Sequence, residues 1–254
     1  VTQGLLGRIA TCLSAFLPPA VRRELVPGIA DRLLELARAA QDGSDKQLQL
    51  VRALAAHAVT GEQLDVVAGL LEGTKTLSGL DIDQDLRWDL LIGLVAAGRS
   101  GEEQIRAEEA RDRTTTGRER AAEARAAIPT PEAKQATWRA LVDDTSMPNE
   151  TQVRVLRGLT NVERRPELLA PFVGAYVEAI DSVWSSRTFH MAENLLTGLW
   201  SCATVGLDGA DPAAALEGWL ESHAQAPAAL RRIVLENLDD TQRVARAQAA
   251  ETSE

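Results

Sequence analysis

A chain of 254 residues, 45% of them hydrophobic, can bury a sizeable core as one extended domain or two compact ones, which excludes a disordered protein. Its formal net charge of −10 repels phosphate backbones, and no stretch gathers Lys and Arg without interleaved Glu, so nucleic acid is not expected as a partner. Aromatic residues contribute only 4% while Ala and Leu dominate, a balance suited to close-packed helices rather than to a β-sandwich.

The first apolar stripe is Leu5, Leu6, Ile9, Leu13 and Phe16, spaced by three and four residues as on one helix face, and Pro18-Pro19 ends it. Val21, Leu25, Ile29, Leu33 and Leu36 follow, with Pro27 expected to kink that helix or begin a new one, and Gly43 closing it. Three later helix starts carry the reciprocal capping pattern of a hydroxyl and a side chain three residues on: Ser44–Gln47, Thr60–Gln63 and Ser100–Glu103. At Thr130-Pro131 and Asp211-Pro212 a capping side chain precedes a proline, whose missing N–H costs nothing at that position.

Behind these caps run Leu48, Val51, Leu54 and Ala55; Leu64, Val67 and Leu71; Phe172, Tyr176, Ile180 and Val183; and Leu230, Ile233, Val234 and Leu238. None alternates with period two. About a dozen helices of roughly 10 to 18 residues with short connections predict an all-α fold. The expected architecture is a superhelical stack of short antiparallel helices, a HEAT/armadillo-like α-solenoid, as a single domain over residues 1–254. No residue-level repeat accompanies the helix spacing, so a globular bundle is the alternative on pattern alone.

Cys12 and Cys202 lie far apart within helical patterns and read as buried thiols in a reducing compartment. No apolar run approaches the ~20 residues of a membrane span and no basic segment leads into an apolar one at the start, so a soluble, cytoplasmic protein without membrane partners is expected. Val1 opens directly into an amphipathic pattern, as in a domain taken from a longer polypeptide.

Hydrolysis of a peptide by zinc needs two imidazoles one helical turn apart with a base between them, as in H-E-x-x-H. His57, His190 and His223 are too scattered in sequence to supply it, so no catalytic residue and no metal ligand is assigned to this chain. The segment His190-Met-Ala-Glu-Asn194 has a faint likeness to an amine-binding G-x-M-E-N loop, but Phe189, Ala192, Leu196, Leu199 and Ala203 run through it as a helical stripe. Gly69 to Thr76 echoes a phosphate loop with its second glycine one place early, and Gly73 reads better as a helix C-cap. Between Arg106 and Arg125 six arginines alternate with Glu108, Glu109, Glu119 and Glu123, which predicts a solvated helix face.

Arg87 departs from this pattern. In a helix from about Asp83 to Ala97 it falls near the middle of an arc formed by Leu86, Leu90, Leu91, Leu94 and Val95. A guanidinium there needs a carboxylate or carbonyls, because leaving water unpaired costs several kcal/mol. Two readings follow: an internal ion pair that fixes neighbouring helices, or a charge offered to a ligand across a concave cavity.

Asp83-Gln-Asp-Leu86-Arg87-Trp88-Asp-Leu-Leu91, then Gly98, Ile105, Asp112-Arg-Thr114 and Gly117, resemble the C-terminal helical domain of actinobacterial aminopeptidase N, a HEAT-like domain of the endoplasmic-reticulum-aminopeptidase kind. Ala126-Ala-Ile-Pro129-Thr-Pro-Glu-Ala-Lys134, Trp138 and Gly43-Ser-Asp45 with Gln47-Leu48 extend the likeness, which runs from about Phe16 to Arg246 as dispersed residues without a catalytic signature. The resemblance implies a multidomain zinc aminopeptidase whose catalytic domain, on the same polypeptide, is the partner of this one and whose substrates are peptides. It implies a helical bowl that closes over the zinc domain and limits which peptides enter, with no cofactor in this chain and the zinc elsewhere in the parent. The competing reading, from a different class, is a freestanding helical-repeat scaffold that binds protein partners on its concave face.

Overall fold

Polar side chains that accept a backbone N–H start six of the helices in the computed structural model, which describes residues 2–251. Among the described residues thirteen α-helices appear in order: α1 (Thr2–Thr11), α2 (Pro19–Ala39), α3 (Asp45–His57), α4 (Gly61–Glu72), α5 (Gln84–Ala96), α6 (Glu102–Arg111), α7 (Thr115–Ala127), α8 (Pro131–Asp143), α9 (Asn149–Thr160), α10 (Phe172–Ser186), α11 (Phe189–Gly198), α12 (Pro212–Ser222) and α13 (Ala228–Glu251). The fold is all-α, and no strand occurs among the described residues.

Thr60 forms the full reciprocal cap with Gln63 on α4, while Asp83, Thr114, Thr130 and Asp211 each accept a backbone N–H at the start of α5, α7, α8 and α12. Two expectations need correction. Ser44 accepts from Gln47 N, but the Gln47 side chain receives Gly43 N instead of Ser44 N. At α6 the cap lies one residue later than Ser100–Glu103, because Gly101 donates its N–H to Gln104 at 3.0 Å. Gly73 adopts the left-handed conformation that ends α4, with φ of 77°, whereas Gly43, with φ of 67°, does not close α2, which stops at Ala39, but lies in the turn that leads into α3.

α2 runs unbroken through Pro27 and buries Arg22, Val26, Ala30, Leu33, Leu34 and Ala37. The buried face is therefore rotated from the expected stripe, and Leu25 is 45% exposed. The N-terminal stripe is likewise only partly used. α1 buries nothing, a π-helical turn (Cys12–Phe16) follows it, and Leu13 is its one buried residue. Cys12 is exposed and Cys202 half-buried, both as free thiols, so neither is the fully buried thiol expected.

Helices pack as consecutive pairs, α2 with α3, α4 with α5, α6 with α7, α8 with α9, α10 with α11 and α12 with α13. The second member of each pair also packs on the second member of the next, giving a row α3, α5, α7, α9, α11, α13. Glycine permits the closest approaches in that row: a Cβ on Gly93 of α5 would lie 2.3 Å from Ala55 O of α3, and one on Gly158 of α9 would lie 2.2 Å from Glu123 O of α7. α5 is buried almost all round, from Leu86 to Ala96. The last helix returns to the N-terminal turn, where Gln248 Nε2 donates to Ala15 O at 2.7 Å.

Lys134 of α8 is fully buried and donates through Nζ to Ala126 O, Gly158 O and Leu159 O at 2.7, 2.9 and 3.0 Å. Those carbonyls sit at the C-terminal ends of α7 and α9, where helix dipoles favour a cation. Burial pushes the ammonium down to about 7. The carbonyls oppose that shift, since a neutral amine has only two N–H groups for three acceptors.

Candidate functional site

Arg87 and Trp88 are adjacent on α5 and reach two acids one turn apart at the end of α6. Arg87 donates Nε to Glu108 Oε1 at 2.8 Å and Nη2 to Glu108 Oε2 at 2.6 Å, a bidentate pair, and Nη1 to Leu71 O at 3.0 Å. Gln84 Nε2 adds a bond to Glu108 Oε1 at 2.7 Å. The side chains of Arg87 and Glu108 retain 18% and 7% of their surface. Burial alone would raise the Glu108 pKa, but the hydrogen bonds from Arg87 and Gln84 outweigh it and hold the carboxyl below its ordinary value.

Trp88 is fully buried and donates Nε1 to Asp112 Oδ2 at 2.9 Å. Asp112 Oδ1 accepts from Thr114 Oγ1 at 2.6 Å, the main cause of a lowered Asp112 pKa, with Trp88 adding to it against burial. Thr114 in turn caps α7 through Gly117 N at 2.9 Å. A Cβ on Gly117 would lie 2.1 Å from Asp112 O, so the turn closes only over glycine. The dispersed motif residues Arg87, Trp88, Asp112, Thr114 and Gly117 thus form one knot joining α5, α6 and α7.

A second set of charges runs along the row α3, α5, α7 and α9. Arg52 (α3) pairs with Asp89 (α5) at 2.8 Å, and Asp89 also pairs with Arg120 (α7). Arg120 pairs with Glu123 at 2.9 Å, and Glu123 with Arg154 (α9) at 3.4 Å. The order of signs, plus, minus, plus, minus, plus, links four helices. This corrects the expectation of one solvated face over Arg106–Arg125, because the stretch is two helices and Glu108, Arg120 and Glu123 are buried. The neighbouring Arg125, which bonds Glu102 and Glu109, remains partly exposed.

Arg87 and Glu108 also line a cleft of about 660 Å³ between α4, α5 and α6, with Lys75, Arg99, Asp65 and Glu72 around it. The ion pair and the cavity wall are therefore the same place. Its charges are mixed in sign, and Arg99 is already paired with Asp65.

The family model described as the ERAP1-like C-terminal domain matches residues 1–243. The chain belongs to that family. It is 40% identical over 253 residues to an aminopeptidase N of Streptomyces lividans, an alignment that takes in all of this chain and 29% of the relative, in its C-terminal part. The chain thus spans less than a third of the length of the curated relative it matches.

In this ERAP1-like domain the three histidines are engaged separately. His57 Nδ1 lies 2.8 Å from Glu163 Oε2, His190 Nε2 is 3.4 Å from Asn194 Nδ2, and His223 stacks on Trp219 with Nε2 3.1 Å from Asp181. Among the described residues no group of three His, Cys, Asp or Glu side chains could hold a metal ion. Around His190, Glu193 pairs with Arg232 and Asn194 bonds Asn149. Ala192 and Leu196 are buried there, but Phe189 is 51% exposed and α11 stops at Gly198, before Ala203.

Sequence reading missed Glu108 and Glu123 because an alternating charge pattern conceals burial. A signal existed: Glu108 follows Ile105 by three residues and precedes Asp112 by four, on the face that Ile105 buries. Nothing in the sequence marked Glu163 and Arg164, whose partners at the end of α3 lie more than a hundred residues away.

Proposed function

We propose that this chain is the helical domain of a zinc aminopeptidase that removes N-terminal residues from peptides, and that it encloses the active site and controls access without a catalytic centre of its own. The observation that carries this reading is the full-length match to 29% of an aminopeptidase N. The catalytic domain of the same polypeptide is then its partner and a peptide the substrate of the parent. Zinc fits no donor set on the described residues. Its ligands and the general base belong to the remainder of the parent, and no catalytic step is assigned to this chain.

The single-domain, HEAT-like superhelical stack is part of this proposal. It draws support from the paired helices, the row in which every second helix packs on the next, and the charge ladder along that row. Arg87 contributes by holding α5 to α6 at the wall of the 660 Å³ cleft, where its remaining exposed edge meets a ligand's polar groups.

Elemental analysis and an aminoacyl-anilide assay on the purified 254-residue chain test the catalytic half of the proposal. The expected result is no stoichiometric zinc and no turnover. One tightly held zinc per chain, with turnover abolished by a chelator, contradicts it.

A further inference from the structure

Arg22 on α2 is 2% exposed, yet two of its three guanidinium nitrogens, Nε and Nη1, have no hydrogen-bond partner among the described residues. The third, Nη2, donates to Leu17 O at 3.4 Å, at the long limit of such bonds. Unpaired buried cations are costly, and each unsatisfied group in a native fold calls for an occupant. The other buried Lys and Arg side chains among the described residues, Lys134 and Arg120, have strong partners.

Arg22 stands at the wall shared by two clefts, one of about 270 Å³ between α2, the end of α3 and the segment after α9, and one of about 450 Å³ between α2, that same segment and residues 206–208. Arg23 and Arg164 line both as well. Two features could have satisfied Arg22, and neither bonds it. Burial lowers the Arg22 pKa and the nearby Glu163, the one acid lining the smaller cleft, opposes that shift, but Glu163 makes no hydrogen bond to the guanidinium and turns its Oε2 to His57. The carbonyls at the end of α3 are taken by Arg164, which donates Nε to Ala58 O at 2.9 Å and Nη2 to Ala56 O at 2.8 Å and Ala55 O at 3.2 Å.

We propose that Arg22 receives the carboxylate of a small aliphatic acid group seated in the smaller cleft. A single hold at 3.4 Å lets the guanidinium head turn into the cleft. Val26, Ala56, Val59, Leu64 and Ala97 provide an apolar wall for the body of the ligand. The volume falls just below the range of about 300–1,000 Å³ typical of sites for drug-sized molecules, which sets the scale at a short side chain or small acid. A dianionic phosphate is disfavoured against a monoanion, since Glu163 lines both clefts and Glu167 and Asp208 the adjoining one, repelling two charges more than one, and an inorganic ion makes no use of the apolar wall. The carboxylate comes either from a free acid or from an acidic side chain elsewhere in the parent polypeptide, and the two share this chemistry.

Methyl NMR of the 254-residue chain tests the site, with 4-methylpentanoate, its neutral amide and N-acetylglutamic acid α-amide as probes. Either carboxylate should shift the methyls of Val26, Val59 and Leu64 saturably while the neutral amide does not. Tighter binding of 4-methylpentanoate indicates a free acid, and tighter binding of the glutamyl probe a side chain. Arg22→Gln should weaken binding by at least about tenfold, the loss of roughly one good interaction. Should that variant fail to fold, Leu64→Trp, which fills the cleft, must abolish binding instead. Equal shifts with the neutral amide, no saturable shift with either acid, or undiminished binding by folded Arg22→Gln overturns the proposal.

Discussion

Replacing Arg87 by methionine removes two of the three side-chain hydrogen bonds that Glu108 receives and leaves the carboxylate with Gln84 alone. Leu71 O loses its donor in the same change. Breaking a buried pair by deleting one partner costs about 3–5 kcal/mol, and because Arg87 keeps 18% of its surface the lower end, about 3 kcal/mol, applies here. The double variant Arg87→Met/Glu108→Met removes the stranded charge too, so it should be more stable than Arg87→Met by about 2 kcal/mol, a non-additivity expected of residues in one network. The sign with pH follows from linkage. Glu108 titrates below its ordinary value in the native protein, so its pair stabilises above that ordinary value and loses its contribution as pH falls through the lowered one. In Arg87→Met the unpaired carboxyl is raised instead, and the difference between wild type and variant narrows on acidification. Urea unfolding at pH 7 and near pH 4, compared at unchanged denaturant slope, measures both effects. A loss below about 0.5 kcal/mol at pH 7, or strict additivity in the double variant, refutes the reasoning.

Asp89→Asn places Arg52 and Arg120 together without their shared carboxylate and should cost about 2–4 kcal/mol by urea unfolding, with Arg32→Ala on an exposed pair as a near-neutral control. Gly93→Ala sets a methyl 2.3 Å from Ala55 O and should destabilise by about 1–3 kcal/mol or more. Gly28→Ala, with open space at a mid-helix position, should instead stabilise by about 0.5–1 kcal/mol, and thermal melting of both variants distinguishes steric from generic effects. Asp112 carries the same acid sensitivity as Glu108, its lowered pKa meaning that stability is lost as pH falls below the ordinary aspartate value. Trp88→Phe should shrink that loss in an unfolding series against pH.

The helical class was legible because it rests on local physics: caps at Ser44, Thr60, Thr130 and Asp211 and a 3.6-residue apolar period act within one or two turns. Which face each helix buries was less legible. On α2 both the Val21–Leu25–Ile29 stripe and the Val26–Ala30–Leu34 stripe are apolar, and contact with α3 selects the second. Arg87 stood out because a charge interrupts an arc of leucines, whereas Glu108 and Glu123 did not because they sit among other charges. Arg22 was invisible for the same reason: Arg22-Arg23-Glu24 reads as solvent-facing sequence, although only Arg22 turns inward.

Peptide-length selectivity of the parent enzyme tests the gating role most directly. In a truncation that lacks this domain and is shown to be folded, kcat/KM for an aminoacyl anilide and for peptides of increasing length can be compared with the intact enzyme. Control of access predicts that the ratio between long and short substrates changes more than the anilide rate, since the proposed reading puts the zinc chemistry outside the helical domain. An equal loss across all lengths in the folded truncation contradicts it.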